Sequence, residues 1–348
     1  MLYYTHQETK GGNLMAAKTV NYLVLDTETA TLPFVNAMGL TSEQKKSVAI
    51  AKPLVYDIGW AIVNRAHGVV EHKNFLVAET FAVPAIFDTA YYHEKRPLYL
   101  EMLRRGEIRL LPWNDIIEIL IADIERCNYV CAYNAMFDFA KAIPFTELYI
   151  RKLYSKDYTS WEAIQQSICQ AIANKTAPKK NEREFDKDNF HLRGKAYPMI
   201  DIWGLSCMYL LDNNNYRRLA LENGYLSNTG TYFTSNAEIA KRYLSERYDF
   251  IEDHTALSDA LIESEILLHT LKHGKKIVGI VYFPFRLLGD VPNFVMKDKK
   301  VNKTMARNCL EKMQAYLPED GNYNNYHKQI AKKVLAIVDF IAERWEEE

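Results

Sequence analysis

Asp26 and Glu28 stand two residues apart at the end of VNYLVLDTE, a run that is apolar until it reaches them. On an extended strand, residues i and i+2 project to the same face, so the two carboxylates can share hard cations through oxygen ligands. Two further acids close short motifs: Asp138 ends Asn134-Ala135-Met136-Phe137-Asp138, and Asp259 ends His254-Thr255-Ala256-Leu257-Ser258-Asp259. Taken singly, these are a pair of solvated acids, a helix-capping aspartate and a surface aspartate behind a loop histidine. Taken together they are four carboxylates that repel one another unless cations neutralise them. His254 brings an imidazole, the side chain best suited to proton transfer at neutral pH.

The surrounding patterns say which elements position these groups. Val20–Leu25 is a β-branched, apolar run expected to form a buried strand, continued by Thr27-Glu28-Thr29. Tyr56–Val63 and Val69–Val77 flank the turn signal Ala66-His67-Gly68 and predict an antiparallel hairpin. Leu111–Arg126 reads as a helix opening after Pro112, and Tyr129–Tyr133 as a second buried strand. Asp138 then lies just past a strand end, where α/β sheets keep their ligand chemistry. Tyr197–Leu205 returns to an apolar pattern, Asn236–Tyr248 reads as helical, and His254–Leu271 carries the strongest helical pattern, with Asp259 on it. Tyr326–Trp345 predicts a last amphipathic helix.

The order strand-DxE, strand-NAxFD, then HxAxxD opening a helix resembles the three motifs of the DEDDh exonuclease superfamily, which includes polymerase proofreading subunits, oligoribonuclease and ribonuclease T. The resemblance covers about residues 18–272. It implies an α/β, ribonuclease H-like fold: a central mixed five-stranded sheet with helices on both faces, here with a C-terminal helical extension over 273–348. It further implies two Mg²⁺ or Mn²⁺ held by Asp26, Glu28, Asp138 and Asp259, with His254 as general base. Thr255, four residues before the last acid, stands where the superfamily's tyrosine branch has its tyrosine, which indicates the histidine branch. By the same resemblance, Thr27, Thr29, Ala30, Asn134 and Phe137 lie where a terminal nucleotide binds. Tyr133 departs from the pattern, since many members have histidine before the asparagine of the second motif. The implied activity is 3′-to-5′ hydrolysis of DNA or RNA to nucleoside 5′-monophosphates. The partner is then a nucleic acid 3′ end, with DNA ranked ahead of RNA and single strands ahead of duplex. A catalytically silent nucleic-acid-binding module on the same fold is the alternative.

Composition narrows the remaining classes. Forty-three basic against forty-four acidic residues create no global field toward polyanions, so nucleic acid has to be met by a local patch or by bound metal. The five cysteines form no CxxC pair, which argues against a structural zinc site and for reduced thiols. No run of about 18 apolar residues and no basic-then-apolar leader appears, so the expectation is a cytoplasmic protein with no membrane partner. A homodimer or a replication partner stays open. Residues 1–17 are expected to stay outside the core. Lys10-Gly11-Gly12-Asn13-Leu14-Met15 reads either as an ordinary polar tail or as a translated bacterial or phage ribosome-binding sequence ahead of a start at Met15. Residues 151–200 read as an insertion. Its charged part, Asn174–Lys195, is either a solvated loop or a substrate-binding segment. In the second case Lys179, Lys180, Arg183, Arg193 and Lys195 pair with phosphates, while Phe185, Phe190 and His191 stack on bases.

Overall fold

The computed structural model describes residues 19–32, 53–155, 186, 188–211 and 253–273, together with 163, 215 and scattered positions from 310 to 339. The strands are β1 (Asn21–Ala30), β2 (Leu54–Asn64), β3 (Gly68–Val77), β4 (Arg109–Leu111), β5 (Tyr129–Ala132), β6 (Asn189–Leu192) and β7 (Lys195–Asp201). The helices are α1 (Ala78–Phe81), α2 (Pro84–Phe87), α3 (Arg96–Arg105), α4 (Trp113–Ile124), α5 (Ala135–Phe137), α6 (Ile143–Leu153), α7 (Ile202–Leu211) and α8 (Ala256–His273). A 3-10 turn at His93–Lys95 precedes α3, and a π-helical turn at Asp138–Ala142 joins α5 to α6.

These strands make one sheet in the order β4-β3-β2-β1-β5-β7-β6. β1, β2 and β3 are antiparallel neighbours, whereas β5 runs parallel to β1 and β7 parallel to β5. The fold is therefore α/β with a mixed sheet, as expected, but with seven strands where five were expected. Part of the difference is β4, three residues long and parallel to the end of β3, too short to leave a periodic signal. The rest comes from the segment read as an insertion. Residues 189–201 form the β6–β7 hairpin, turned by Arg193 and Gly194 at φ 47° and 81°, and paired left-handed residues suit a two-residue hairpin turn.

That hairpin corrects the reading of Asn174–Lys195 where its residues are described. Phe190 is buried and stacked on Phe139 at 4.4 Å, so it is core and does not stack on bases. Arg193 is engaged by Glu147 at 3.0 Å and Asn114 at 2.6 Å, Lys195 by Glu125, and His191 by Asp186. These side chains are engaged within the chain. Lys179, Lys180, Arg183 and Phe185 lie outside the described residues, as do the helix expected at Asn236–Tyr248 and the leader. Described positions between 328 and 339 are helical, in line with the expected last helix.

The middle of the sheet is covered on both sides, which is why β1 and β2 read as nearly unbroken apolar runs. Leu23, Val24 and Leu25 have no exposed surface. On β2 the alternation assigns the two covers. The indole of Trp60 donates to Asp123 of α4 at 2.9 Å, a carboxylate that also takes Lys73 at 2.6 Å and Arg126 at 2.9 Å. The opposite face, carrying Asp57 and Gly59, receives α8. A Cβ at Gly59 would stand 2.4 Å from the backbone nitrogen of Leu257 and 2.5 Å from its Cα. Only glycine permits that approach.

Gly59→Ala therefore has to push α8 off the sheet. Overpacking of this kind costs about 1–3 kcal/mol, and the clash is with backbone, which cannot swing aside. The expected result is a lower melting temperature. Unchanged melting would contradict the docking described.

Candidate metal centre

Asp26 and Glu28 lie on the β1 face that meets α8. Their cross-strand partners are Gly59 and Asp57, so the strand pair offers two acids, a bare glycine and a third acid to the helix above it. Asp57 is buried, and its Oδ2 accepts from the Ala256 amide at 3.0 Å and from the Tyr99 hydroxyl at 2.9 Å. A carboxylate at a helix N-terminus satisfies a free amide and complements the helix dipole. Asp57 thus fixes the first turn of α8, and Asp259 follows one turn on.

Docked in this way, α8 brings Asp259 to the β1 pair. Ligand oxygens of Asp26, Glu28 and Asp259 all lie within 4.8 Å of one another, and each residue is partly accessible. Three carboxylates converging at this spacing form a hard, anionic oxygen donor set. It fits Mg²⁺ or Mn²⁺ and does not fit softer, thiolate-preferring metals.

Asp138 is not one of those three. It sits in the π-helical turn beyond β5, buried, with its Oδ1 accepting from the Thr27 hydroxyl at 2.6 Å. The turn ahead of it is braced by Asp201, at the end of β7, which accepts the amides of Asn134 and Ala135 at 3.1 Å each. Asn134 is held there at φ 73°. Thr27 therefore spends its hydroxyl on Asp138. Of the other residues expected near a nucleotide, Ala30 is buried in the core, Phe137 packs half-buried against it, and Thr29 is half-buried beside a shift in the β1–β2 register. His254 stands in the turn before α8 at φ 51°, outside the triad, its ring stacked on Tyr92.

Two acids that sequence reasoning passed over belong to this neighbourhood. One is Asp57. The other is Glu263, buried one helical turn after Asp259, with its Oε2 accepting from the Tyr133 amide at 3.2 Å. A sequence signal for Glu263 existed, because residues i and i+4 of a helix share a face.

So many carboxyls in one place hold their protons. Burial, then the charges of Asp138 and Glu28, push Asp26 well above the ordinary carboxylate range. Burial and Asp259 push Glu28 up to about 9, against the pull of the Lys95 ammonium. Asp138 is raised by burial to about 7 although the Thr27 hydroxyl favours its charged form. Burial raises Glu263, and the charges of Asp26, Asp138 and Asp259 raise it further. A dication bound there would reverse this balance and displace the protons.

Between the ordinary carboxylate pKa of about 4 and a raised value of about 9 for Glu28, the metal-free folded chain binds more protons than the unfolded chain. Its stability therefore declines as pH rises through that window. Melting in EDTA should shift to lower temperature from about pH 5 to pH 9, and saturating Mg²⁺ should restore it most at the alkaline end. Ligand at a hundredfold over its dissociation constant adds about 2.7 kcal/mol. A profile independent of both pH and Mg²⁺ would contradict the electrostatics. Compared with protein-family models, with curated proteins and with solved structures, the chain finds no match.

Proposed function

We propose that the chain is a metal-dependent 3′-to-5′ exonuclease of the DEDDh type, built on a ribonuclease H-like sheet. Its substrate is nucleic acid, with DNA ahead of RNA and single strands ahead of duplex, and its products are nucleoside 5′-monophosphates. The observation that carries this reading is the convergence of Asp26, Glu28 and Asp259, from a strand and a helix more than two hundred residues apart, within 4.8 Å. The run of antiparallel β3, β2 and β1 followed by parallel β5 and β7 supports the fold part of the proposal.

A phosphodiester is shielded by its own charge, and two Mg²⁺ or Mn²⁺ bound at these acids would supply Lewis-acid activation of water and neutralisation of the departing 3′ oxygen. Asp26, Glu28 and Asp259 would hold that charge in place. Asp138, fixed by Thr27, adds a fourth carboxylate beside Asp26. His254 takes the proton of the attacking water. The backbone at Thr29 and Ala30, with Asn134 and Phe137, borders the terminal nucleotide in this reading.

The test is hydrolysis of an oligonucleotide carrying a labelled 3′ nucleotide, with Mg²⁺, with Mn²⁺ and with EDTA. Labelled mononucleotide should appear with either metal and vanish with EDTA. Asp26→Asn, Asp138→Asn and Asp259→Asn should each lower turnover by about 10²–10⁴, with the fold retained. His254→Ala should slow the reaction at neutral pH while metal binding persists. Losses below tenfold in the acid variants, or metal-independent cleavage, would overturn the assignment.

A further inference from the structure

His254 is an awkward residue to rely on for a proton. A non-glycine residue in the left-handed region is strained, and His254 holds φ at 51° in the two-residue approach to α8. Something has to keep both the turn and the ring where they are. The segment between β3 and β4 supplies it, through three side chains at helical spacing. Tyr92, Lys95 and Tyr99 stand at i, i+3 and i+7, and they converge on the approach to α8, the first two directly and Tyr99 through Asp57. Tyr92 lies flat against the His254 imidazole, with centroids 4.7 Å apart and planes 11° from parallel. The Lys95 ammonium donates to the Asp253 carbonyl, one residue before the strained position, and also sits 4.2 Å from the centre of the Tyr92 ring. Tyr99 donates to Asp57, the cap of the Ala256 amide.

The clasp has firm footing. Tyr99 is buried, and the Arg96 guanidinium lies about 5 Å over the rings of Phe81 and Phe87. The Lys95 amide closes the 3-10 turn onto the Tyr92 carbonyl at 3.0 Å, which ties the two contact residues to each other. From the other side the Asp253 carboxylate accepts the Thr255 amide at 3.1 Å and its hydroxyl at 3.0 Å.

We propose that Tyr92 and Lys95 are positioning residues for His254, the tyrosine supporting the face of the imidazole and the lysine tying down the turn that carries it. What the imidazole does rests on the exonuclease reading; where it is held rests on the clasp alone. A flat stack covers the face of the imidazole and not its edge, where both nitrogens lie. That is the geometry a proton acceptor needs, since proton transfer takes place in the ring plane. The neighbouring Tyr91, 84% exposed, packs edge-on against Tyr92 at 4.8 Å and does not stack on His254, so Tyr91→Ala keeps the ring that faces the imidazole.

The test uses the full chain and two independent readouts. The ring protons of His254, assigned by NMR through His254→Ala, should be shifted upfield by the Tyr92 ring current. The shift should be lost in Tyr92→Ala and kept in Tyr92→Phe and Tyr91→Ala. In the oligonucleotide assay, Tyr92→Ala should lower kcat by about 10–100-fold, the scale of a misplaced catalytic group, with KM little changed. Tyr92→Phe should recover most of that loss, and Lys95→Met should reduce kcat in the same sense. Because Tyr92 acts through His254, the double variant Tyr92→Ala/His254→Ala should be no slower than His254→Ala alone.

An imidazole shift unaffected by Tyr92→Ala would overturn the clasp. Additive losses in the double variant, or a change confined to KM, would make Tyr92 a substrate contact and overturn the positioning role. A wild-type chain with the shifted imidazole but without metal-dependent hydrolysis would overturn the exonuclease reading and leave the clasp standing.

Discussion

The gap between α8 and the sheet is set by a missing side chain. With no Cβ at Gly59, the Leu257 backbone comes to a distance at which any other residue would clash. Asp57, two residues away on the same face, binds the Ala256 amide and fixes the rotation and height of the helix. From that one contact the positions of Asp259 and Glu263 follow by helical geometry. Asp26 and Glu28 follow from the pairing of β1 with β2, because each sits directly across from one member of the docking pair. The centre is a property of how one helix rests on two strands.

Such an arrangement works against the fold in the absence of cation. Like charges in a low-dielectric setting repel strongly, and the chain answers by keeping protons on several of its carboxyls. Local donors offset part of the cost: the Thr27 hydroxyl on Asp138, the Tyr133 amide on Glu263, and the Tyr99 hydroxyl and Ala256 amide on Asp57. Elsewhere the same chemistry is ordinary and stabilising. Asp123 is buried too, but it is met by Trp60, Lys73 and Arg126 together. That contrast separates a structural carboxylate from a group of acids gathered for another purpose.

How much of this could be read in advance depended on the length and periodicity of each segment. β1, the β2–β3 hairpin, α4, β5 and α8 were legible because each buries a regular pattern long enough to show its period. β4 was too short. β6 and the start of β7 were masked by charged neighbours, although Arg193-Gly194 between two short alternating runs carried the turn signal. In the site, the DxE pair and Asp259 stood out by spacing. Asp57 did not, because a single acid in an apolar strand looks like an alternation error until its role as a helix cap is seen. Tyr92 and Lys95 were not legible at all. Tyr92 meets His254 and Lys95 the Asp253 carbonyl across some one hundred and sixty residues of chain, and no local pattern encodes those contacts.

The proposal that Asp26, Glu28 and Asp259, with Asp138, bind a pair of divalent ions is tested most directly by counting the ions. Mn²⁺ titrated into the chain at about pH 8 can be followed by electron paramagnetic resonance, in which bound ions lose the free-ion signal and close pairs show exchange coupling. The account predicts two Mn²⁺ per chain, coupled as expected for a separation of about 4 Å, with tight binding lost in Asp26→Asn. No tight Mn²⁺, or binding indifferent to Asp26, would contradict it.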